Sequence, residues 1–117
     1  MIEIRDLSKR FGNTPVLHDV NLTIPEGEVT CIIGRSGSGK SVLMRHFVAL
    51  LTPDTGSVIV DGAPLAELTY PELRQVRRKF GVLFQGGALF DSMSALENVE
   101  FPLRTFTDLS RAEVRAR

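Results

Sequence analysis

Gly34-Arg35-Ser36-Gly37-Ser38-Gly39-Lys40-Ser41 fits the spacing G-x-x-x-x-G-K-[ST], a pattern whose chemistry is to wrap the phosphates of a nucleotide. Glycine dominates such a loop because the backbone must approach phosphate closely and take conformations that a Cβ forbids. Successive N–H groups of Gly34, Ser36, Gly37, Ser38 and Gly39, with the positive end of a following helix at Ser41 and Val42, form an anion cradle. Lys40 supplies a mobile positive charge for the β and γ phosphates, and the Ser41 hydroxyl is a hard oxygen ligand suited to Mg²⁺. The competing reading is a glycine turn with an incidental lysine. It loses because the flanking residues supply the frame that the motif requires.

That frame is a strand, a loop and a helix. Glu28-Val29-Thr30-Cys31-Ile32-Ile33 reads as a buried strand, apolar on both faces at Cys31, Ile32 and Ile33 and so expected to be a central parallel strand. Val42 to Leu51 reads as the helix. Upstream, Ile2, Ile4 and Leu7, then Val20, Leu22 and Ile24, alternate roughly with polar residues and predict a β-rich layer, with Pro25-Glu26-Gly27 as a turn. Downstream, Thr52 to Gly56 breaks the helix, and Ser57 to Val60 is a short strand closed by Asp61-Gly62. Thr69-Tyr70-Pro71-Glu72 has the form of a capping box, predicting a helix from about Tyr70 to Lys79. Gly81 to Phe84 reads as a second buried strand. Ser94-Ala95-Leu96-Glu97 opens a further helix that Pro102 should stop, and Ser110-Arg111-Ala112-Glu113 opens a third. That last helix is cut within two turns, which suggests a truncation.

The chain has 117 residues, room for one domain of modest size, with 14 Lys plus Arg against 14 Asp plus Glu. Zero net charge gives no support to a nucleic-acid surface. Apolar runs are too short to span a membrane, and the acidic N-terminus is unlike a signal peptide, so a cytosolic chain without direct membrane insertion is expected. The single cysteine, Cys31, excludes an internal disulfide and is expected to be a small buried hydrophobe. His18 and His46 have no partner at metal-ligand spacing, and Arg74, Arg77, Arg78 and Lys79 read as a solvated basic face.

Leu7-Ser8-Lys9-Arg10-Phe11-Gly12, Val16 to Leu22, Pro25 to Glu28, Thr55-Gly56-Ser57-Val58 with Asp61-Gly62, and Val82-Leu83-Phe84-Gln85 follow one family's pattern in order. Over essentially its whole length the chain resembles the N-terminal half of an ATP-binding cassette (ABC) ATPase, the motor subunit of membrane transporters. The resemblance implies an α/β fold: a P-loop NTPase core with an N-terminal antiparallel β-subdomain, residues 1–117 forming the N-terminal part of one nucleotide-binding domain. It implies ATP and Mg²⁺ as ligands, with Phe11 stacking on adenine and Val16 packing nearby. Phe11 as an ordinary core aromatic is the alternative. It also implies that Gln85 contacts Mg²⁺ and the attacking water and couples the nucleotide to the membrane subunit, Gly86-Gly87 allowing a hinge. Lys40 and Gln85 are thus the candidate catalytic residues, and Ser41 and Gln85 the candidate metal contacts.

Phe84 to Ser92 and Glu97 to Arg104 look like the ATPase of Mla-type transporters, which move phospholipid between the inner membrane and the outer envelope; amino-acid importers share much of this stretch. Implied partners are a second ATPase subunit in a homodimer and a permease docking near Gln85, with the chain peripheral on the cytoplasmic face of the inner membrane. Leu89, Phe90, Met93 and Phe101 either line a partly apolar docking groove or form local core. No Leu-Ser-Gly-Gly-Gln-type signature, strand ending in Asp-Glu (Walker B) or later switch histidine is found, and in the family these lie C-terminal to residue 117. Without the base they carry, the chain is expected not to turn over ATP at a family-typical rate. Its open apolar strand is expected to promote self-association. A non-catalytic nucleotide-binding module is the reading from another class, and a P-loop kinase is disfavoured by the β-layer before the loop.

Overall fold

The computed structural model describes residues 1–84 and 86–117, so Gln85 lies outside the described residues. Two compact units emerge, residues 1–81 and 82–117.

The first unit is built on a four-stranded antiparallel sheet in the order β2-β1-β3-β4. Its strands are β1 (Ile2–Phe11), β2 (Thr14–Ile24), β3 (Thr55–Val60) and the short β4 (Ala63–Pro64). Ile2 pairs with Ile24 on one side and Val60 on the other; Ile4 pairs with Leu22 and Val58. The alternating apolar residues therefore share one face, and Ile4, Leu7, Leu17, Val58 and Val60 are buried there. The β1–β2 ladder is irregular after Ile4, and side chains repair it. Asn21 accepts the Asp6 N–H at 3.0 Å, while the Ser8 hydroxyl accepts the Asp19 N–H at 3.0 Å. Gly56, at φ +81°, lies across from this irregularity, where a Cβ would come within 2.4 Å of the Arg5 and Asp6 carbonyl oxygens. No other residue type fits there.

Helix α1 (Lys40–Phe47) lays Leu43, His46 and Phe47 into the same core. It ends earlier than the apolar run to Leu51 suggested, turning at Val48 and Ala49. Helix α2 (Tyr70–Arg77) begins at the expected capping box, where both the N–H and the hydroxyl of Thr69 donate to Glu72. Of the basic residues expected on a solvated face, Arg74, Arg78 and Lys79 are exposed and Arg77 is half-buried. Arg77 donates to the carbonyls of Val48 (3.3 Å) and Ala49 (2.7 Å), capping the C-terminal end of α1, and Lys79 pairs with Asp61.

Two sequence expectations fail for one reason. Residues 28–33 and 81–84 are not strands, Ile33 is 89% exposed, Leu83 is 87% exposed, and Cys31 is exposed rather than buried. Both segments have strand-forming residues, but among the described residues neither has a neighbour to complete a ladder. A strand exists only as part of a pair.

The second unit contains α3 (Ala95–Phe106) and α4 (Arg111–Ala116), each opened by its capping box. Pro102 sits inside α3 and does not stop it. Proline removes one hydrogen bond, here the one owed to the Asn98 carbonyl, at a cost of about 3 kcal/mol in an isolated helix interior. The helix continues through an ion pair one turn apart, Glu100 with Arg104, and through the Thr105 and Thr107 hydroxyls donating to the Phe101 and Leu103 carbonyls. Glu100 is 2% exposed and also faces Arg115 of α4 at 3.6 Å.

Candidate nucleotide-binding site

The loop expected to hold phosphate is in place at the start of α1. Gly37 (φ +78°) and Gly39 (φ +91°) adopt left-handed backbone, and Ser38 N–H closes a turn onto the Arg35 carbonyl at 3.2 Å. Gly39 is the N-cap of α1. A Cβ there would fall 2.9 Å from Leu17 Cδ2 and 3.1 Å from the Val16 carbonyl oxygen, so both conformation and space demand glycine. This contact is what brings Val16 to the loop. At Gly34 the restriction is space, since a Cβ would sit 2.7 Å from Ser38 Oγ.

Lys40 curls back over the loop. Its ammonium donates to the carbonyls of Gly34 (2.8 Å) and Arg35 (2.7 Å), with Ser38 Oγ at 3.5 Å. The first turn of α1 has no side-chain cap and no acidic residue, in contrast to the three capped helices downstream. The N–H groups of Lys40, Ser41 and Val42 therefore have no partner within the helix. An uncapped helix start, a left-handed glycine turn and a lysine are thereby gathered at one place, a donor set suited to an anion. Ser36 and Ser41 are exposed there. The donors and the Ser41 hydroxyl fit a nucleotide triphosphate with Mg²⁺, whose chemistry would be to screen and polarise the phosphates.

Phe11 is 47% exposed at the end of β1, paired with Thr14 across the hairpin whose second strand, β2, carries Val16. An aromatic half open to solvent is unlike core, and it lies on the hairpin that touches Gly39. The structure thus brings Phe11 and Val16 onto the β-hairpin that packs against the phosphate loop. Gln85, the other expected site residue, lies outside the described residues. A cavity of about 220 Å³ lined by Met1, Ile24, Lys79 and Phe80 among others shares no residue with this site.

Sequence reasoning missed several residues that position the site. Lys9 donates to the Thr52 carbonyl and to Asp54 Oδ1, both at 2.8 Å, and its ammonium lies over the Phe11 ring, 5.8 Å from the centroid. Asp54 is held below the ordinary carboxylate pKa first by the Lys9 hydrogen bond and then by the Arg10 N–H. The i, i+2 spacing of Lys9 and Phe11 on a strand was the available signal. His46 is fully buried, its Nδ1 donating to the Val42 carbonyl at 2.8 Å, and burial lowers its pKa below 6.5. It is neutral and structural. In the second unit Asn98 clasps the preceding loop, accepting the Phe90 N–H and donating to the carbonyls of Phe90, Met93 and Ser94. Phe90 and Phe101 rest on each other, ring centroids 4.9 Å apart, with Leu89 exposed.

Among the described residues, no helix is long and apolar enough to cross a membrane. Residues 17–117 match the ABC transporter family. The chain is similar to the probable ribonucleotide transport ATP-binding protein mkl of Mycobacterium tuberculosis, 47% identical over 114 residues, covering 97% of this chain and 32% of that protein. It is similar to the methionine import ATP-binding protein MetN of Burkholderia thailandensis, 49% identical over 120 residues, covering 99% of this chain and 35% of that one. Among solved structures, the dimeric bacterial ABC transporter cassette MJ0796 superposes with a TM-score of 0.88 at 36% identity, covering 99% of this chain and 53% of that one. The same cassette bound to ADP and Pi gives a TM-score of 0.86. The chain spans about a third of the length of these curated relatives and about half of these solved cassettes. With its glycine loop, antiparallel β-layer and this likeness in agreement, the chain belongs to the ABC transporter family and has the fold of its ATP-binding cassette.

Proposed function

We propose that residues 1–117 are the N-terminal part of one nucleotide-binding domain in the ATP-binding subunit of an ABC transporter, and that they bind Mg-ATP. The uncapped start of α1 beneath the Lys40 ammonium carries this reading. Gly34 to Val42 cradle the phosphates, Lys40 leaves the Gly34 and Arg35 carbonyls for the β and γ phosphates, Ser41 faces Mg²⁺, and Phe11 stacks on the base beside Val16. Gln85 is proposed as the contact to Mg²⁺ and water. Equilibrium titration with Mg-ATP tests the assignment. Lys40→Ala should weaken binding by about tenfold or more, the effect of losing a charge-assisted contact. Unchanged affinity overturns it.

The sequence has no apolar strand ending in Asp-Glu to supply a general base, so turnover at a family-typical rate is not expected of these 117 residues alone. A robust rate, abolished by Lys40→Ala, would contradict that. The subunit is proposed to work in the cytoplasm, paired with a second copy and peripheral to a permease that docks near Gln85. The dimeric state of the MJ0796 cassette supports the pairing. For cargo, the Phe84 to Ser92 and Glu97 to Arg104 stretches favour phospholipid trafficking of the Mla type. Similarity to a methionine import protein favours a small-solute importer as the second reading. The permease that co-purifies with the full-length protein separates the two.

A further inference from the structure

Phe11 stands at the end of β1 with about half its surface in solvent. A charge lies against its ring. Lys9, two residues earlier and on the same side of β1, holds its ammonium over the ring while that ammonium is tied to the Thr52 carbonyl and to Asp54 Oδ1. Asp54 in turn grips the strand on either side of Lys9. Its Oδ2 accepts the Arg10 N–H at 2.7 Å, and its own N–H donates to the Ser8 carbonyl at 3.0 Å.

The Lys9 side chain is mostly shielded, so its bonds are little diluted by water or salt. Thr52 and Asp54 belong to the turn that follows α1, the helix whose first residues form the phosphate loop. The hairpin is therefore tied to α1 twice, at the start through Gly39 against Val16 and Leu17, and past the end through Asp54 and Lys9.

We propose that Lys9 and Asp54 are positioning residues for the base of the nucleotide: they lock the Phe11 ring in angle and in distance from the phosphate loop. The inference rests on the reading of Phe11 as the base platform. A cation fixed over one face of the ring leaves the other face for the base and draws π-electron density away from it, which favours stacking of an electron-rich purine. Neither residue belongs to the loop at Gly34 to Val42. Their removal should then cost affinity only for ligands that carry a base.

The full-length protein is titrated with Mg-ATP and, separately, with inorganic tripolyphosphate. Lys9→Met and Asp54→Asn should each weaken ATP binding about three- to fivefold, the scale of a partly shielded cation–ring contact. Tripolyphosphate affinity should stay within about twofold, since no cradle donor is altered. Lys9→Arg, which keeps the charge, should recover most of the loss. Equal losses for both ligands, or no loss for ATP, overturn the proposal, as does failure of Lys9→Arg to recover binding while the folded protein is retained. Phe11→Ala separates this from the underlying reading. If it leaves ATP and tripolyphosphate affinities as in the parent, Phe11 is not the platform. If it weakens ATP alone while Lys9→Met does not, the platform stands and the brace falls.

Discussion

The two units of this chain reach order by different means. Residues 1–81 bury a continuous cluster of Ile, Leu, Val and Phe between a sheet and α1, and the phosphate loop is carried on that block. Among the described residues of 82–117, the buried side chains are Val114 and Glu100. Leu89, Leu96, Val99, Phe101 and Phe106 are exposed there, and order comes from capping boxes, the Asn98 clasp and arginines on Glu100. Apolar burial suits a site that must hold donors in fixed positions. Polar latches give order to a segment that leaves these apolar side chains in solvent.

Substitutions can break or sharpen this contrast. Leu7→Ala, at the fully buried centre of the first unit, should cost about 3 kcal/mol through lost burial and the cavity left behind. Urea unfolding followed through β1 amides checks it; amides of α3 should keep their protection, and a parallel loss there would show that the units unfold as one. Ser94→Ala should cost about 1 kcal/mol by removing the acceptor for the Glu97 N–H, seen as faster amide exchange confined to the first turn of α3.

The smallest effect expected is a pH dependence. His46, faced by Lys9 from β1 and Asp54 from the turn before β3, is held neutral chiefly by burial. Below pH 6.5 the unfolded chain takes up a proton that the folded chain resists, so stability should fall from pH 7 toward pH 5 and level off below the folded value. Replacing His46 by Gln should flatten that part of the profile in the first unit and leave α3 and α4 unchanged. A slope that survives the replacement assigns it to another group.

Local chemistry was the legible part of the sequence. The loop spacing, the three Ser/Thr-x-x-Glu boxes and the alternation of Ile2, Ile4, Leu22 and Ile24 each specify structure within a few residues, and each is found. Residues 28–33 and 81–84 read as strands and are not, because a strand needs a partner that composition does not reveal. Cys31 followed its segment into solvent. Pro102 misled because an isolated proline rule ignores the cap and ion pair that keep a helix going. Lys9 and Asp54 escaped notice because 45 residues separate them, and only the path of α1 makes them neighbours.

Three helices begin with the same acidic latch. In each, one oxygen of Glu72, Glu97 or Glu113 takes both the N–H and the hydroxyl of the capping residue, and those bonds hold each carboxyl below its usual pKa of 4.5. A proton on any of the three spoils its latch, and all three take it up over one range of acidity, below 4.5. The contribution is whole above that range and lost as pH falls through it. Helix α1, started by glycine and lysine, has no such carboxylate to titrate. Acid below pH 4.5 therefore reaches the starts of three helices through their own capping carboxylates, whereas the start of α1 holds no capping carboxylate for it to act on.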